Sequence, residues 1–268
     1  MASILNNVTS LNAQRNLAAS QKGLTSTINR LSTGLRINKA ADDAAGLQIS
    51  NNLRADIKVL AQAQRNANDG IGIIAIADGN LEEATSLLTR AAELAEQASS
   101  GQTSSSGRAA LNQEFSQIVN AINAIGTDTK YDGASLFGGN FSFRVGEAAT
   151  QVVSVSVSSL SATTLGVNTN DLSTSNNAST ALGNILTAIE RISSTRGNLG
   201  ASEARLNTIV NSLGITKENV TAAESQIRDA DIATEVVNLT KFQILSQSGV
   251  SALAQANLSA QSVLSLLG

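Results

Sequence analysis

Apolar residues recur every three or four positions over most of the chain, which is the pattern of amphipathic helices. One stripe runs from Ile4 to Leu35, and others cover residues 42–99, 111–125 and 182–213. Gly34 lies near the end of the first stripe, where a helix is expected to weaken or stop. A turn rich in Ser and Gly at residues 99–107 predicts that the next helix folds back antiparallel. We therefore predict a mainly α protein, in which long antiparallel helices form a coiled-coil-like bundle.

The spacing of apolar residues changes to every second position in the middle of the chain. Residues 141–145 and 153–157 alternate apolar and polar side chains. This alternation predicts a small β-hairpin within residues 130–165. The stretch 161–179 is rich in Ser, Thr and Asn, a composition typical of a loop. That loop is either bare or a carrier of O-linked sugars.

The composition excludes most kinds of enzyme. The chain has 268 residues and contains no His, Cys, Trp or Pro. Without His and Cys, Ser-His and Cys-His nucleophiles cannot form and zinc loses its usual ligands. Aromatic residues are 2% of the chain against 42% hydrophobic residues, so small aliphatic side chains carry the apolar surface, as in slender helix–helix seams. We expect no enzyme, no cofactor and no metal.

Two motifs can each be interpreted either as a functional site or as part of the helical structure. Gly70-Ile71-Gly72 superficially matches a dinucleotide-binding glycine pattern, although the residues before it look helical and not like a strand. The other interpretations are a helix weakened by glycine and a place of close backbone approach. An acidic cluster between residues 224 and 235 suits a metal or an acid–base pair, and equally a helix surface that faces basic side chains.

The charge balance argues against nucleic acid and lipid as partners, because 18 basic and 21 acidic side chains give a net charge of −3. The sequence shows no signal peptide and no apolar stretch long enough to span a membrane, so by itself it predicts a cytoplasmic protein. The first acidic residue is Asp42, which leaves a basic first helix. Such a helix suits a transit peptide, a lipid surface or a partner with acidic residues.

The C-terminal segment Phe242–Gly268 contains no charged side chain, yet Gln, Ser and Asn interleave its apolar positions. It belongs to a last helix that we expect to open after Gly214. A helix of this kind is too polar to span a bilayer and too poor in charge to be a solvated surface helix. One chain of this size cannot easily cover it, so the pattern predicts burial between subunits.

Two groups of sequence blocks, one towards each end of the chain, match a known pair of signatures. The blocks are Leu31-Ser32-Thr33-Gly34-Leu35-Arg36-Ile37-Asn38, Asp42-Asp43-Ala44-Ala45-Gly46, Arg65-Asn66-Ala67-Asn68-Asp69-Gly70-Ile71, Ala233-Thr234-Glu235-Val236, Gln243-Ile244-Leu245, Leu253-Ala254-Gln255-Ala256-Asn257 and Val263-Leu264-Ser265-Leu266-Leu267. In these blocks both ends of the chain resemble bacterial flagellin, over roughly residues 3–140 and 181–267. The family's variable outer domains are absent from the middle, and Gly268 replaces its final basic residue.

This resemblance implies a structural protein that polymerises with itself into the extracellular filament of the bacterial flagellum, for swimming motility. It implies export without a cleaved signal peptide, and partners in the flagellar export apparatus, an export chaperone, the filament cap and the hook-junction proteins. It assigns residues 1–42 and 229–268 to an inner-tube domain and residues 43–228 to an outer-tube domain. The nearest alternative is a hook–filament junction protein. A membrane-inserting translocator would need an apolar span that the chain lacks.

The resemblance also assigns residues to subunit packing and to the register between the two ends. If the ends pair antiparallel, Arg36 falls opposite position 233, and the basic residues of the first arm meet the acidic residues of the last. The expected register charges are Arg30, Arg36, Lys39, Asp229, Asp231 and Glu235. The expected packing residues are Leu31, Leu35, Val236, Leu239, Leu253, Leu264 and Leu267.

A surface that Toll-like receptor 5 reads on flagellins has matching residues in this chain, at Arg90, Leu94 and Glu114. Arg90 and Leu94 are four residues apart and share one side of a helix. We expect Leu94 to be an exposed apolar anchor beside the Arg90 guanidinium. Glu96 departs from the family, which usually has an apolar residue there, so recognition is expected to be weaker than for the strongest members.

Overall fold

The computed structural model describes the backbone of residues 7–148 and 150–265, and the side chains of that range up to residue 259. Within it, long helices dominate and two small antiparallel hairpins lie mid-chain, which confirms the predicted fold class. The elements in chain order are α1 (Val8–Thr33), α2 (Ala44–Ser99), α3 (Ser105–Asp128), β1 (Lys130–Tyr131), β2 (Ala134–Ser135), β3 (Asn140–Arg144), β4 (Val152–Ser156), α4 (Ala162–Leu165), α5 (Ser175–Arg228) and α6 (Ile232–Ser265).

The chain divides into two compact units. Unit 1 comprises Met1–Ile57 and Asn219–Gly268, and unit 2 comprises Lys58–Glu218. These boundaries fall inside α2 and α5, whereas the sequence analysis divided the chain at residues 42 and 229. The inner-tube and outer-tube assignment remains a prediction.

Unit 1 is formed by α1, α6 and the adjoining ends of α2 and α5. The Asn7 side chain accepts a hydrogen bond from the Ser10 N–H and so caps the start of α1. Gly34 ends α1 in the left-handed conformation, with φ of 71° and its N–H bonded to the Arg30 carbonyl. The predicted end of the first helix at Gly34 is therefore confirmed.

Unit 2 has a continuous core, built from α2, α3, α5 and the inner faces of β3 and β4. Val153 and Val155 are buried on one face of β4, and Phe115 and Ile122 of α3 lie in the same core. Gly126 of α3 lies so close to the chain at residue 160 that a Cβ atom there would overlap a backbone carbonyl. The glycine is needed for this approach.

The sequence analysis predicted one β-hairpin, whereas the structure has two among the described residues. The predicted hairpin is β3 with β4, in the register Phe141 opposite Val155. The second hairpin pairs β1 with β2 through the two-residue turn Asp132-Gly133. Its strands have only two residues each, which is too short for an alternating pattern to show. Positive φ at both turn residues is typical of the hairpin turn that favours Asp-Gly.

Two other predictions need correction. The stretch 161–179 is not only a loop, because it contains α4 and the first turns of α5, and Leu165 and Leu172 anchor it in the core. The composition of this stretch is dominated by polar residues, so it did not reveal that these few apolar residues are buried. The last helix does not open after Gly214, because α5 continues through it to Arg228. One glycine weakens a helix by only about 1 kcal/mol, and tertiary packing outweighs that.

Candidate assembly and recognition surfaces

α1 and α6 pack side by side with a close approach of their backbones. Gly23 of α1 faces Phe242 of α6 so closely that a Cβ atom on the glycine would lie 2.5 Å from the phenyl ring. Six residues earlier in α1, Leu17 packs against Gly249 of α6. The order of these contacts makes the two helices antiparallel. Small residues at the crossing let the helices approach and interlock.

The predicted register is shifted by about one helical turn. The Arg36 N–H donates to the Arg228 carbonyl over 2.7 Å, so Arg36 does not lie opposite residue 233. Arg30 Nη1 lies 3.1 Å from Glu235 Oε1, and the Glu235 side chain is only 9% exposed. The prediction placed the two ends of the chain level with each other, whereas the contacts place Gly23 opposite Phe242 and Leu17 opposite Gly249.

The breaks between α1 and α2 and between α5 and α6 lie against each other. Leu35 and Asp229 form an antiparallel bridge, and the Ala230 N–H donates to the Gly34 carbonyl over 2.9 Å. We call this pair of breaks, residues 34–37 with 228–230, the joint. At the joint, backbone N–H and C=O groups that have no partner within their own helices form hydrogen bonds with each other.

Arg36 and Asp231, which were expected to form ion pairs between the two arms, form hydrogen bonds with backbone groups at helix ends. Arg36 Nη2 donates to the Ile227 carbonyl over 2.6 Å, at the end of α5. Asp231 caps α6 by accepting the N–H groups of Ala233 and Thr234. The Thr234 hydroxyl, and then the Thr234 N–H, hold the pKa of the Asp231 carboxyl below its ordinary value.

Asp229 has a local partner as well, because its carboxylate accepts the Ser225 hydroxyl over 2.6 Å. The backbone N–H of Lys39 donates to the Asp42 carboxylate over 2.9 Å, a bond that does not involve the Lys39 ammonium. Within the described part of the chain, the pair Arg30–Glu235 is the one ion pair found between the basic first arm and the acidic cluster. The expectation that Asp229 and Asp231 set the register with the first arm stays a prediction.

The predicted packing residues that the structure describes are at most half-buried within the single chain. Val236 is exposed, and its neighbours in the prediction are half-buried. Leu267 lies outside the described residues, and so does the side chain of Leu264. The half-buried residues are Leu31, Leu35, Leu239 and Leu253.

An apolar groove follows one side of α6. Four of its six lining residues are aliphatic, and two of these are more than half exposed, Val237 at 67% and Ile244 at 61%. Lys241 is its one charged residue. We call this surface the α6 groove; its lining residues are Val236, Val237, Thr240, Lys241, Ile244 and Leu245.

The predicted receptor surface is only partly exposed. Arg90 projects from α2, and its Nη2 lies 2.8 Å from Glu114 Oε1 on α3 and its Nη1 3.0 Å from Glu93 Oε2. Hydrogen bonds from Arg90 to Glu114, and next to Glu93, raise the pKa of the guanidinium. Leu94 is 1% exposed and belongs to the core of unit 2. The expectation that Leu94 is an exposed anchor is wrong, because an offset of four residues turns it towards the core.

The glycine motif in α2 marks a close approach. Gly70 lies inside the helix, and a Cβ atom there would be 3.0 Å from Phe143 and 3.1 Å from Leu206. Gly70 lies within α2, and no strand precedes it in the described residues from 7 onwards, so the dinucleotide-binding interpretation is wrong. Over the described residues, no group of His, Cys, Asp or Glu is arranged to hold a metal ion. No helix of residues 7–148 and 150–265 is long and apolar enough for a transmembrane span.

A helical subunit with an uncovered apolar arm is the kind of protein that assembles into polymers, and comparison with known proteins gives the family. The sequence model of the bacterial flagellin N-terminal helical region matches residues 4–142, and that of the C-terminal helical region matches residues 182–267. The chain belongs to the bacterial flagellin family. It is a structural subunit of the flagellar filament, in a short form without outer domains.

The relatives extend over nearly the whole chain. Flagellin FlaB1 of Treponema pallidum (strain Nichols) is 37% identical over 283 residues, covering 98% of this chain and 99% of the relative. The flagellar filament 33 kDa core protein of Treponema phagedenis is 38% identical with the same coverage. Flagellin of Bacillus subtilis (strain 168) is 37% identical over 303 residues, again covering 98% and 99%.

Solved structures agree on the fold. The crystal structure of Bacillus cereus flagellin matches with a TM-score of 0.51 and 24% identity, covering 56% of this chain and 88% of that one. A structure described as a flagellar hook-associated protein of Vibrio parahaemolyticus matches with a TM-score of 0.61 and 13% identity, covering 70% and 100%. At such identities the likeness shows the fold alone, and it does not favour the hook-junction alternative.

Proposed function

We propose that the α1–α6 pair is the assembly element of the filament and that the α6 groove is buried between copies of this chain. The observation that supports this is the exposure of a row of aliphatic side chains on a helix that has no charged residue after Lys241. Burying one such side chain contributes roughly 1.5–3 kcal/mol. In this arrangement residues 1–42 and 229–268 form the inner tube and residues 43–228 the outer tube. The subunit has no catalytic role.

The experiment is assembly of purified full-length protein with Ile244→Gln. The side chain is 61% exposed, so the monomer keeps its stability while the apolar contact between subunits is lost. We expect the monomer concentration needed for assembly to rise about tenfold or more. Ile215→Gln is the matched control, because Ile215 is 63% exposed but lies in unit 2. An unchanged assembly threshold for Ile244→Gln would contradict the proposal.

We further propose that the chain reaches the extracellular filament without cleavage of a signal peptide. Its export partners would be the flagellar export apparatus and an export chaperone, and the assembling filament would contact the cap and hook-junction proteins. Support comes from relatives described as filament core proteins. Mass spectrometry of sheared filaments tests the point: an N-terminal peptide that begins within the first two residues is expected, and one that begins further on would overturn it.

Recognition by Toll-like receptor 5 is a further proposal, centred on Arg90 and Glu114. Both side chains are exposed and the ion pair between them holds the guanidinium in place. Leu94 packs in the core of unit 2 beneath this surface, so in this proposal it does not contact the receptor. Arg90→Ala and Glu114→Ala should lower signalling by folded monomer, whereas Arg65→Ala, an exposed arginine on the same helix, should not. Unchanged signalling in both test variants would exclude this surface.

A further inference from the structure

The chain contains three Asp-Gly pairs, at residues 69–70, 78–79 and 132–133. In such a pair the backbone nitrogen of glycine can attack the side-chain carbonyl carbon of the aspartate. A C–N bond forms, one water leaves, and a five-membered succinimide results. Water then opens the ring at either carbonyl and yields aspartate or isoaspartate. Glycine favours the attack because it has no Cβ atom to hinder its nitrogen.

The structure places the third pair where the backbone can rearrange. Asp132-Gly133 is the turn between β1 and β2, with φ of 49° and 78°. The strands pair through Tyr131–Ala134 and Lys130–Ser135, all four strand residues are exposed, and the Leu136 N–H donates to the Thr129 carbonyl at the far end from the turn. A Cβ atom on Gly133 would meet nothing within 4 Å. Rotating the Asp132 backbone into the geometry of attack therefore disturbs only a few solvent-exposed hydrogen bonds.

The other two pairs are held inside α2, a helix of 56 residues. Their glycine N–H groups belong to the helical hydrogen-bond ladder. Gly70 is in close contact with Phe143 and Leu206. The Asp78 carboxylate accepts two hydrogen bonds from Arg196, over 2.7 and 3.0 Å. Attack at either site would require opening of a helix whose neighbouring residues are packed in the core of unit 2.

We propose that Asp132 is a site of spontaneous isomerisation to isoaspartate, and that the modified turn is a substrate for a methyltransferase specific for isoaspartyl carboxylates. In that reaction the carboxylate oxygen takes the methyl group from the sulfonium of S-adenosylmethionine, the S–CH3 bond breaks, and S-adenosylhomocysteine leaves. The isomerisation loses one water and regains one, so the mass is unchanged and no oxidant or reductant takes part. The product carries an extra methylene in the main chain. A two-residue turn cannot absorb that methylene, so the pairing of Tyr131 with Ala134 is lost.

The test follows all three sites in one digest of the full-length protein. Trypsin releases Asp132 in a peptide of residues 131–144 and both helical pairs in a peptide of residues 66–90. After several weeks near neutral pH, chromatography separates isoaspartyl from aspartyl peptides of equal mass, and the methyltransferase labels the former. We expect isoaspartate at Asp132 to exceed that at Asp69 and Asp78 about tenfold or more. Urea-denatured protein should remove the difference, because all three pairs then share one chemistry.

Two variants make the result decisive. Asp132→Glu would need a six-membered ring and should remove the isoaspartyl peptide, while circular dichroism shows an unchanged fold. Asp132→Asn closes the same succinimide with release of ammonia, so the modification becomes a change of mass. The inference is overturned if residues 131–144 show no isoaspartate while a synthetic peptide of that sequence does. It is equally overturned if folded protein converts all three sites at the same rate.

Discussion

Gly23 lies where α1 and α6 approach most closely. A methyl group there would lie 2.5 Å from the Phe242 ring, well inside a normal carbon–carbon contact. Overpacking of this kind costs about 1–3 kcal/mol, more than the gain of up to about 1 kcal/mol from helix propensity. We expect Gly23→Ala to lower the temperature at which filaments dissociate, as followed by light scattering.

Gly72→Ala is the matched control, because Gly72 lies in the interior of α2 and a Cβ atom there meets nothing within 4 Å. That change should stabilise the protein slightly. Adding Phe242→Leu to Gly23→Ala makes room for the methyl group and should recover part of the loss. If Gly23→Ala filaments are as stable as those with Gly72→Ala, the close approach is not what holds the two arms together.

Asp78 provides a prediction for acid stability. Hydrogen bonds from Arg196 hold the pKa of the Asp78 carboxyl below its ordinary value, with the guanidinium charge acting in the same direction. The pair thus stabilises the fold above the ordinary pKa of an aspartate, near 3.9, and this contribution is lost as the pH falls through the lowered pKa. In urea unfolding, Asp78→Asn should be less stable than the parent at neutral pH, and the difference should vanish in acid.

A double variant, Asp78→Asn with Arg196→Gln, separates the pair from other effects of either substitution. Asp78 and Arg196 are both substantially exposed, so the coupling between them is expected to be small, within the usual range of surface pairs. A stability difference that persists unchanged into acid would show that the ion pair is not its cause.

At the level of elements, the joint depends on Gly34. Its φ of 71° lies in the left-handed region, where an alanine is disfavoured by about 1–2 kcal/mol. Gly34→Ala should therefore destabilise unit 1, and Gly34→Asn should do so less, because asparagine tolerates this region better. Thermal unfolding of assembled protein measures both. Equal stability of the two variants would mean that the left-handed cap is not required.

Long helices, in which the spacing of apolar residues repeats over many turns, could be predicted from the sequence, whereas short breaks between helices could not. The stripe with Gly34 near its end predicted the end of α1 correctly, because a capping glycine leaves a visible signal. The periodicity missed the break between Arg228 and Ile232, which only the resemblance placed near residue 229, since the break is made by hydrogen bonds to residues 34–37, distant in sequence. The partners of Arg36 and Asp231 could not be predicted for the same reason, because both side chains bond to helix ends that the periodicity did not locate.

Candidate surfaces were harder to predict than elements. The resemblance to flagellin identified Arg90 and Glu114, which do meet in the structure. It could not show that Leu94 faces inwards, because residues four apart on a helix differ by about 40° in direction, enough to separate an exposed from a buried side chain. The α6 groove needed the structure, since only burial shows which aliphatic residues remain uncovered.

On the scale of the whole molecule, the two units differ in how much of their structure rests on a core. Unit 2 has a continuous core, whereas among the described residues Thr27 is the buried residue of α1 and Glu235 that of α6. Ordering a residue costs about 1–2 kcal/mol, and uncovered helices recover little of it. We expect the amides of α1 and α6 to exchange with solvent rapidly in dilute monomer and slowly in filaments, where copies of the chain cover them.

Hydrogen exchange followed by mass spectrometry measures this directly. Peptides from α3, which buries Phe115 and Ile122, should be protected in monomer and filament alike and so serve as the internal control. Peptides from residues 7–33 and 232–259 should gain protection only on assembly. Slow exchange of both arms in a dilute monomer would mean that the α1–α6 pair is stable by itself. In that case assembly would bury a preformed surface and would not order the arms.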